Sequence, residues 1–341
     1  MKTSTRNVIK PVIILLGSTI LIFIVIFAFA RKDTQQKMQN LLEVSEEEQL
    51  RFVDGIDHLL VDLDGVVKLA DTVIPGAKEC LDKFKRLGKS VSYVSNNALN
   101  TPDEILQKLL RMNLTVDIND LFTPQMAVLD YLQRINYQKK IYMIGTDSYK
   151  EYLRKAGFKI VDSPNETIDE SVPHLSEKIK DDPDVELVVT DFDFNLSVVK
   201  LTQAAHHLRK PNITFLSGGT DKTFPGANGK SIVACHYVYK ALEDYSGKQP
   251  ITLAKPSKHY SKVIQARLQI TDPTRVLFIG DSVMEDLGFA TVNNYQKLLV
   301  LTGNTKMKNI QNWTYPEEYK PNYYIQSLHE LNILLVKLKK M

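Results

Sequence analysis

Residues 58–67 read HLLVDLDGVV, a short apolar run that leads into two carboxylates and a glycine. A run of this length predicts a buried strand. In open α/β sheets the ligand crevice lies outside the carboxyl ends of the strands, so we expect Asp62 and Asp64 to face a substrate there. Gly65 lets the backbone turn closely past a ligand. An Asp-x-Asp pair alone is equally compatible with a solvated turn, and the segments downstream decide between the two.

The composition indicates a globular chain and argues against one class of partner. With 341 residues, 43% of them hydrophobic, the chain can bury a core in each of two domains. Its 43 basic and 40 acidic residues are well mixed and give a net charge of +3, so no nucleic-acid partner is expected. Cys80 and Cys235 lie far apart, outside any Cys/His cluster, which favours buried, unreactive thiols.

An uncharged apolar stretch over residues 11–30 follows a basic flank at residues 1–10. It is long enough to cross the roughly 30 Å hydrocarbon core as one helix and predicts a single-pass membrane anchor. A cleaved signal peptide ending at Ala30 is the alternative, although the stretch exceeds the usual signal core of about 7–15 residues. The flanking charges nearly balance and leave the side of the membrane open. Five N-x-[ST] sequons modestly favour a lumenal or extracellular domain over a cytoplasmic one: Asn113, Asn165, Asn195, Asn212 and Asn312.

Strand and helix patterns alternate along the rest of the chain, which predicts an α/β fold with a doubly wound parallel sheet. Residues 31–50 are polar and charged and are interpreted as a linker that ends in a short helix. After residue 250 the pattern returns to that of the first part, so the middle third looks like an inserted α/β domain. We predict a core made of residues 51–137 and 251–341, interrupted by a cap over residues 138–250. The predicted helices include one over 230–244 and one over 284–292.

The carboxylates at the first strand end suit phosphoryl transfer. Asp62, with an unperturbed pKa near 3.9, is ionised at neutral pH and can attack phosphorus to form an aspartyl phosphate. Asp64 could protonate the leaving oxygen and then activate water. A second strand ends at Ser95, whose hydroxyl and neighbouring N–H groups can hold phosphoryl oxygens, although a simple polar turn has the same composition.

Two later segments add positive charge and oxygen ligands. Lys255 would neutralise charge shared by the nucleophile and the phosphoryl group, although most lysines are solvated surface charges. The run GDSVMED at residues 280–286 ends a buried strand and offers Asp281 and Asp286, hard oxygen ligands that suit Mg²⁺. Asp286 is also compatible with a helix-start acid that stabilises the helix dipole.

The order and spacing of these segments resemble one family, the haloacid dehalogenase superfamily of phosphatases. Its four motifs are similar to DLDG at 62–65, VSNN at 94–97, KP at 255–256 and GDSVMED at 280–286. About 30 residues separate the first two motifs and about 160 the second and third, a layout that resembles the C2-capped class IIA branch. That branch includes NagD-like proteins, 4-nitrophenylphosphatases, and phosphoglycolate and pyridoxal phosphate phosphatases.

The resemblance implies a role for each matching position. Asp62 would be the nucleophile and Asp64 the general acid and base. Phosphate would be bound by Ser95 and Asn96 and stabilised by Lys255. Mg²⁺ would be held by Asp62, the Asp64 backbone carbonyl and Asp281, with Asp286 as a ligand or a support.

The cap departs from the family pattern. Relatives often carry Thr-Asn-Pro-Asp where this chain has Gly218-Gly219-Thr220-Asp221. The specificity loop, with Gly219 and Asp221, is therefore predicted to be more flexible, which leaves the leaving group of the substrate open. The resemblance also suggests a homodimer formed through the cap.

We therefore predict a membrane-anchored, Mg²⁺-dependent phosphomonoesterase. Its substrate would be a small phosphorylated metabolite such as phosphoglycolate or pyridoxal phosphate, with 4-nitrophenyl phosphate as an artificial substrate. A large cap over the site would exclude water and bulky polymers. Two alternatives share the same fold: a catalytically silent membrane-tethered binding module, and a phosphotransferase with an acceptor other than water.

Overall fold

The structure, a computed structural model, describes residues 38–163, 167–225 and 230–340. Its strands, in chain order, are β1 Gln39–Asn40, β2 His58–Val61, β3 Lys68–Leu69, β4 Thr72–Val73, β5 Ser90–Val94, β6 Leu121–Phe122, β7 Lys140–Ile144, β8 Lys159–Val161, β9 Val185–Thr190, β10 Thr214–Ser217, β11 Thr223–Pro225, β12 Ser231–Val233, β13 Ile251–Thr252, β14 Val276–Gly280, β15 Gln296–Val300 and β16 Tyr323–Ile325.

The α-helices alternate with these strands. They are α1 Glu46–Asp54, α2 Ala77–Arg86, α3 Pro102–Arg111, α4 Pro124–Arg134, α5 Asp147–Lys155, α6 Val172–Lys178, α7 Val198–Leu208, α8 His236–Ser246, α9 Lys258–Leu268, α10 Gly288–Val292, α11 Met307–Gln311 and α12 Leu328–Lys337. A π-helical turn, Val283–Leu287, leads directly into α10.

The larger sheet has seven parallel strands in the order β1-β16-β15-β14-β2-β5-β6. Its inner strand β2, between β14 and β5, is the one predicted from residues 58–62. Leu59 and Val61 pack into the apolar cluster on one face of the sheet and Leu60 into the cluster on the other. Burial on both faces explains why this strand is a continuous apolar run and not an alternating one.

The strand register brings three loop starts to one edge of this sheet. Val61 pairs with Ile279 of β14 on one side and with Tyr93 of β5 on the other. The residues that follow these strands, beginning with Asp62 and Ser95, therefore emerge side by side. This edge is where a ligand crevice is expected in an open parallel sheet.

The second sheet has five parallel strands in the order β13-β10-β9-β7-β8. It is built almost entirely from the middle third of the chain, and we call it the cap sheet after the cap predicted there. Its edge strand β13 pairs Ile251 with Leu216 and Thr252 with Ser217. The chain therefore passes from this sheet to Lys255 within three residues.

Two local predictions are corrected. The short helix predicted at the end of the linker is present as α1, but the segment before it is not a free linker, because Gln39–Asn40 joins the larger sheet. The Gln49 side chain of α1 donates to the Leu41 and Leu42 carbonyls, which follow this strand. A two-residue strand leaves no periodic pattern to read. The helix predicted over 230–244 begins at His236, because Ser231–Val233, with two β-branched residues, forms a hairpin with Thr223–Pro225.

The membrane localisation predicted from the sequence is also corrected. Among the residues that the structure describes, no helix combines the length and apolar character needed to cross a bilayer. The longest of the described helices have 11 residues. That is about 16 Å at 1.5 Å per residue, against a hydrocarbon core of roughly 30 Å. The stretch at 11–30 that suggested an anchor lies outside the described residues.

Candidate active site

A buried ion-pair cluster lies at the edge where β2 and β14 end. Lys255 donates from Nζ to Oδ1 of Asp62 at 2.6 Å and to Oδ1 of Asp286 at 2.7 Å. Lys255 is 2% exposed and Asp62 is 7% exposed, so their charges interact with little screening by water. The structure thus joins the first, third and fourth predicted segments in one contact network.

Three carboxylates converge beside this lysine. Asp62, Asp281 and Asp286 each offer an oxygen within 4.8 Å of the other two. Burial raises the pKa of Asp62, and the Asp286 and Asp281 carboxylates raise it further. Burial and the neighbouring Asp286 also raise the pKa of Asp281 to about 7. Burial would lower the pKa of Lys255, but the Asp286 and Asp62 carboxylates outweigh it and hold that pKa above its ordinary value.

The donor set fits a divalent cation. If all three acids ionise, Lys255 leaves two negative charges uncompensated in a buried site. A hard cation with oxygen ligands balances such a charge, as Mg²⁺ does in phosphoryl-transfer sites. The side chain of Asp64 is outside this carboxylate cluster, so only its predicted backbone carbonyl remains to be considered as a ligand.

Glycines shape the space around the metal-ligand candidates. Gly65 has φ +93°, and a Cβ there would come within 2.7 Å of Asp281 Oδ2. A Cβ at Gly303 would collide with the same carboxylate, and one at Gly280 would collide with Asp286. The N–H of Asn304 donates to Asp281 Oδ2 and holds it in this cradle. Sequence reasoning missed the 302–304 loop, although it follows β15 at the same sheet edge.

Asp286 has two functions in the contact network. Its Oδ1 accepts a hydrogen bond from Lys255 Nζ, and its Oδ2 accepts from the N–H groups of Asp281 and Ser282, both at 3.0 Å. The second set of bonds joins Asp286, within the π-helical turn Val283–Leu287, to the two N–H groups that directly precede that turn. Asp286 therefore orients both the lysine and the backbone of the neighbouring acid.

The second predicted segment reaches the site through Ser95. Ser95 is 2% exposed and lines the same cavity as Asp62. Its Oγ accepts from the N–H of Asn97 at 3.0 Å, so the hydrogen of the hydroxyl group is available to donate to a ligand. The side chain of Asn96, predicted to bind phosphate, is used differently. Its Oδ1 accepts from the Lys255 N–H at 2.8 Å and its Nδ2 donates to the Lys255 carbonyl at 3.2 Å. Asn96 thus holds the backbone of the lysine.

Asp64 lies at the mouth of the cavity. Its side chain is 51% exposed and forms an ion pair with Lys68, which also donates to the Ala70 carbonyl at 3.3 Å. Asp64 and Lys68 are joined by a backbone bridge in the turn after β2. An exposed carboxyl on a turn can rotate between this partner and the cavity.

The predicted specificity loop, residues 218–221, which we call the cap loop, is packed, contrary to its predicted flexibility. A side chain at Gly218 would collide with Asp191, and one at Gly219 would collide with Cys235. The glycines are there because these buried side chains fill the adjacent space. Asp221 lines the cavity that contains Asp62, whereas Gly219 contributes backbone only: its carbonyl accepts from Ser217 Oγ at 2.9 Å.

Two adjoining cavities surround the carboxylates and the cap loop. The inner one, about 580 Å³, contains the charged cluster, and the outer one, about 640 Å³, extends between the cap loop and α9. Both are lined by Asp221, Thr223, Ser282, Glu285 and Asn304. This shared neck carries two carboxylates. Burial, helped by the Glu285 carboxylate, raises the pKa of Asp221 to about 6.

Comparisons with known proteins agree with this arrangement. Residues 59–159 match the family model of haloacid dehalogenase-like hydrolases, and residues 252–331 match a second, HAD-hydrolase-like model. The 4-nitrophenylphosphatase of Schizosaccharomyces pombe is 28% identical over 292 residues, which are 84% of this chain and 97% of that protein. Chronophin of Rattus norvegicus is 27% identical over 281 residues, 80% of this chain and 86% of the relative.

A solved structure extends the likeness to three dimensions. The p-nitrophenyl phosphatase from Archaeoglobus fulgidus superposes with a TM-score of 0.70 at 25% identity. The match covers 82% of this chain and 99% of that protein. The likeness therefore includes the inserted region as well as the larger sheet.

Proposed function

Because this chain is a phosphatase of the haloacid dehalogenase superfamily, class IIA, we propose that it hydrolyses phosphomonoesters with Mg²⁺ through an aspartyl phosphate on Asp62. One observation carries the proposal: the Asp62 carboxylate is paired with Lys255 and lies within 4.8 Å of the Asp281 and Asp286 ligand atoms. An ionised carboxylate beside a fixed ammonium suits attack on phosphorus.

In the first step an Asp62 oxygen attacks phosphorus and the bond from phosphorus to the leaving oxygen breaks. Asp64 rotates away from Lys68, takes up a proton from solvent and gives it to that oxygen, which leaves as an alcohol. The Ser95 hydroxyl donates to a phosphoryl oxygen, and Lys255 offsets the negative charge gathered around Asp62. The phosphoryl group is then an acyl phosphate on the Asp62 side chain.

In the second step Asp64, now a carboxylate, takes a proton from water. That water attacks phosphorus, the bond from phosphorus to the Asp62 oxygen breaks, and inorganic phosphate is released. Asp62 returns as a carboxylate and Asp64 as an acid, which gives its proton back to solvent, so the cycle balances. Lys255 and Asp286 remain paired throughout and fix the position of Asp62.

The residues proposed to hold Mg²⁺ are Asp62, Asp281 and the backbone carbonyl of Asp64, with Asp286 in support. When bound, the cation supplies positive charge that lets a phosphate dianion approach the carboxylates. The glycine cradle at Gly65 and Gly303 keeps the Asp281 oxygen accessible to it. The charge balance described above supports this assignment.

We propose a small phosphorylated metabolite as the substrate, because the inner and outer cavities together suit a small ligand and the cap loop lines both of them. The two carboxylates of the neck, Asp221 and Glu285, disfavour an anionic leaving group such as that of phosphoglycolate. Lys222 and Lys306 each line one of the cavities but not the neck. The two carboxylates of the neck therefore favour a leaving group that is neutral, hydroxyl-rich or cationic.

The test is hydrolysis of 4-nitrophenyl phosphate by the purified full-length chain, with Mg²⁺ and after its removal by a chelator. Asp62→Asn is expected to abolish turnover. Asp244→Asn, the same change at an exposed surface ion pair, is expected to leave it unchanged. Turnover that survives Asp62→Asn, or that ignores Mg²⁺ removal, would contradict the proposal. Free phosphate as the product separates hydrolysis from transfer to another acceptor.

A further inference from the structure

Thr220, at the tip of the cap loop, bonds to the residues that hold the site lysine. Its Oγ1 donates to the Lys255 carbonyl at 2.5 Å and accepts from Asn96 Nδ2 at 3.3 Å. Asn96 follows β5 of the larger sheet and Thr220 follows β10 of the cap sheet. One hydroxyl therefore links the cap to the phosphate side of the core.

The three residues form a closed network around the Lys255 backbone. The side-chain amide of Asn96 forms hydrogen bonds with both the N–H and the carbonyl of Lys255. Thr220 adds a second donor to the same carbonyl and accepts from the amide nitrogen, so it fixes the orientation of both groups. A residue at this position must donate and accept at once, which a hydroxyl does and a methyl cannot.

The loop that carries Thr220 is fixed on both sides. Before it, the Gly218 N–H donates to the Thr190 carbonyl at 2.9 Å. After it, the Asp221 and Lys222 carbonyls accept from the N–H groups of His236 and Ala234 at 3.0 and 2.9 Å. These bonds tie the loop to β9 and to the start of α8, so the position of Thr220 is fixed relative to the cap sheet.

We propose that Thr220 is a positioning residue that couples the cap to the reaction. Its hydroxyl holds Asn96 and the Lys255 carbonyl in place, and thereby aligns the Lys255 ammonium with Asp62, when the cap loop sits on the core. The test of this role by kcat rests on the proposed function. The test by hydrogen exchange does not depend on catalysis.

The test compares three variants of the full-length chain. Thr220→Val removes the hydroxyl and keeps the shape, and Thr220→Ser keeps the hydroxyl. Thr271→Val makes the same change as Thr220→Val at an exposed residue that lines neither cavity. With 4-nitrophenyl phosphate and Mg²⁺, Thr220→Val is expected to lower kcat by about tenfold to a hundredfold, with a smaller change in KM. Thr220→Ser and Thr271→Val are expected to stay close to the parent kcat.

Hydrogen exchange of the peptide that carries Ser95 to Asn97 gives the second readout. Exchange is expected to rise in Thr220→Val and to stay at the parent level in Thr220→Ser and Thr271→Val. Unchanged exchange in Thr220→Val, or equal losses of kcat in Thr220→Val and Thr220→Ser, would overturn the positioning role. If the parent chain hydrolyses no phosphomonoester while exchange responds as described, the proposed function fails and the link between cap and core stands.

Discussion

Lys255 Nζ lies 2.6 Å from Asp62 Oδ1, although 193 positions separate the two residues along the chain. The contact forms because β13 returns the chain from the cap sheet to the core edge at which β2 ends. The same ammonium also donates to Asp286, whereas none of the described ion pairs joins it to Asp281. One lysine between three acids makes the cluster dependent on added positive charge.

The first prediction concerns metal binding without turnover. Mg²⁺ is expected to raise the melting temperature of the parent chain, because it relieves repulsion among the three acids. At one hundred times its Kd a ligand stabilises the folded state by about 2.7 kcal/mol. Asp281→Asn is expected to lose most of this gain, and Asp244→Asn to keep it. Equal stabilisation of all three proteins, or by NaCl at matched ionic strength, would argue against the site.

The second prediction separates the two proposed roles of Asp64. Asp64→Asn is expected to lower steady-state kcat by about 10²–10⁴-fold, the usual range for a lost general acid or base. 4-Nitrophenolate leaves without a proton, so a burst of one equivalent is still expected in the first turnover. Alkyl phosphates are expected to give no burst. Rapid-quench measurements that find parallel losses in the burst and in the steady state would refute the assignment.

The third prediction concerns the charge of the leaving group. At a pH above the Asp221 pKa of about 6, the parent chain is expected to prefer phosphoethanolamine to phosphoglycolate in kcat/KM. Glu285→Gln removes one charge from the neck and is expected to reduce this preference roughly fivefold, or about 1 kcal/mol. Glu177→Gln, on the exposed face of α6, is the matched control. A preference for phosphoglycolate in the parent chain would be the contrary result.

The fourth prediction links Asp191 to stability. Asp191 is 3% exposed, and burial raises its pKa to about 7. The folded state therefore keeps a proton that the unfolded state loses near pH 4, so parent stability falls as pH rises between these values. Asn does not titrate. The unfolding free energy of Asp191→Asn relative to the parent is expected to rise by about 1.4 kcal/mol per pH unit across this window.

Urea unfolding at a series of pH values measures this difference. It is expected to level off above pH 7, where Asp191 is ionised in both states. Asp244→Asn supplies the reference for an exposed carboxylate. If the difference in unfolding free energy between Asp191→Asn and the parent does not change with pH, burial does not raise the pKa of Asp191.

Much of the site was predictable because its residues follow long apolar strands. Runs such as Leu59–Val61 and Val276–Ile279 are buried on both faces, so the strands are evident and the acids after them must meet at one edge. The division into core and cap, the site roles and the cap homodimer stay predictions.

Other features left no local signal. The strands β1, β13 and β16 are two or three residues long and are stabilised by partners far along the chain. The use of the Asn96 amide on the Lys255 backbone, and the hydroxyl of Thr220 beside it, depends on contacts across 159 and 35 positions. A pair of glycines in a sequence indicates a flexible loop. The sequence therefore does not reveal that Gly218 packs against Asp191 and Gly219 against Cys235.

The central claim is tested most directly by locating the phosphoryl group on the enzyme. Asp64→Asn is mixed with 4-nitrophenyl phosphate and Mg²⁺, quenched with acid and digested, and the peptides are analysed by mass spectrometry. The account predicts that the mass of one phosphoryl group appears on Asp62 and disappears after hydroxylamine treatment. A phosphoryl group found on another residue, or release of 4-nitrophenol with no phosphorylated Asp62, would contradict it.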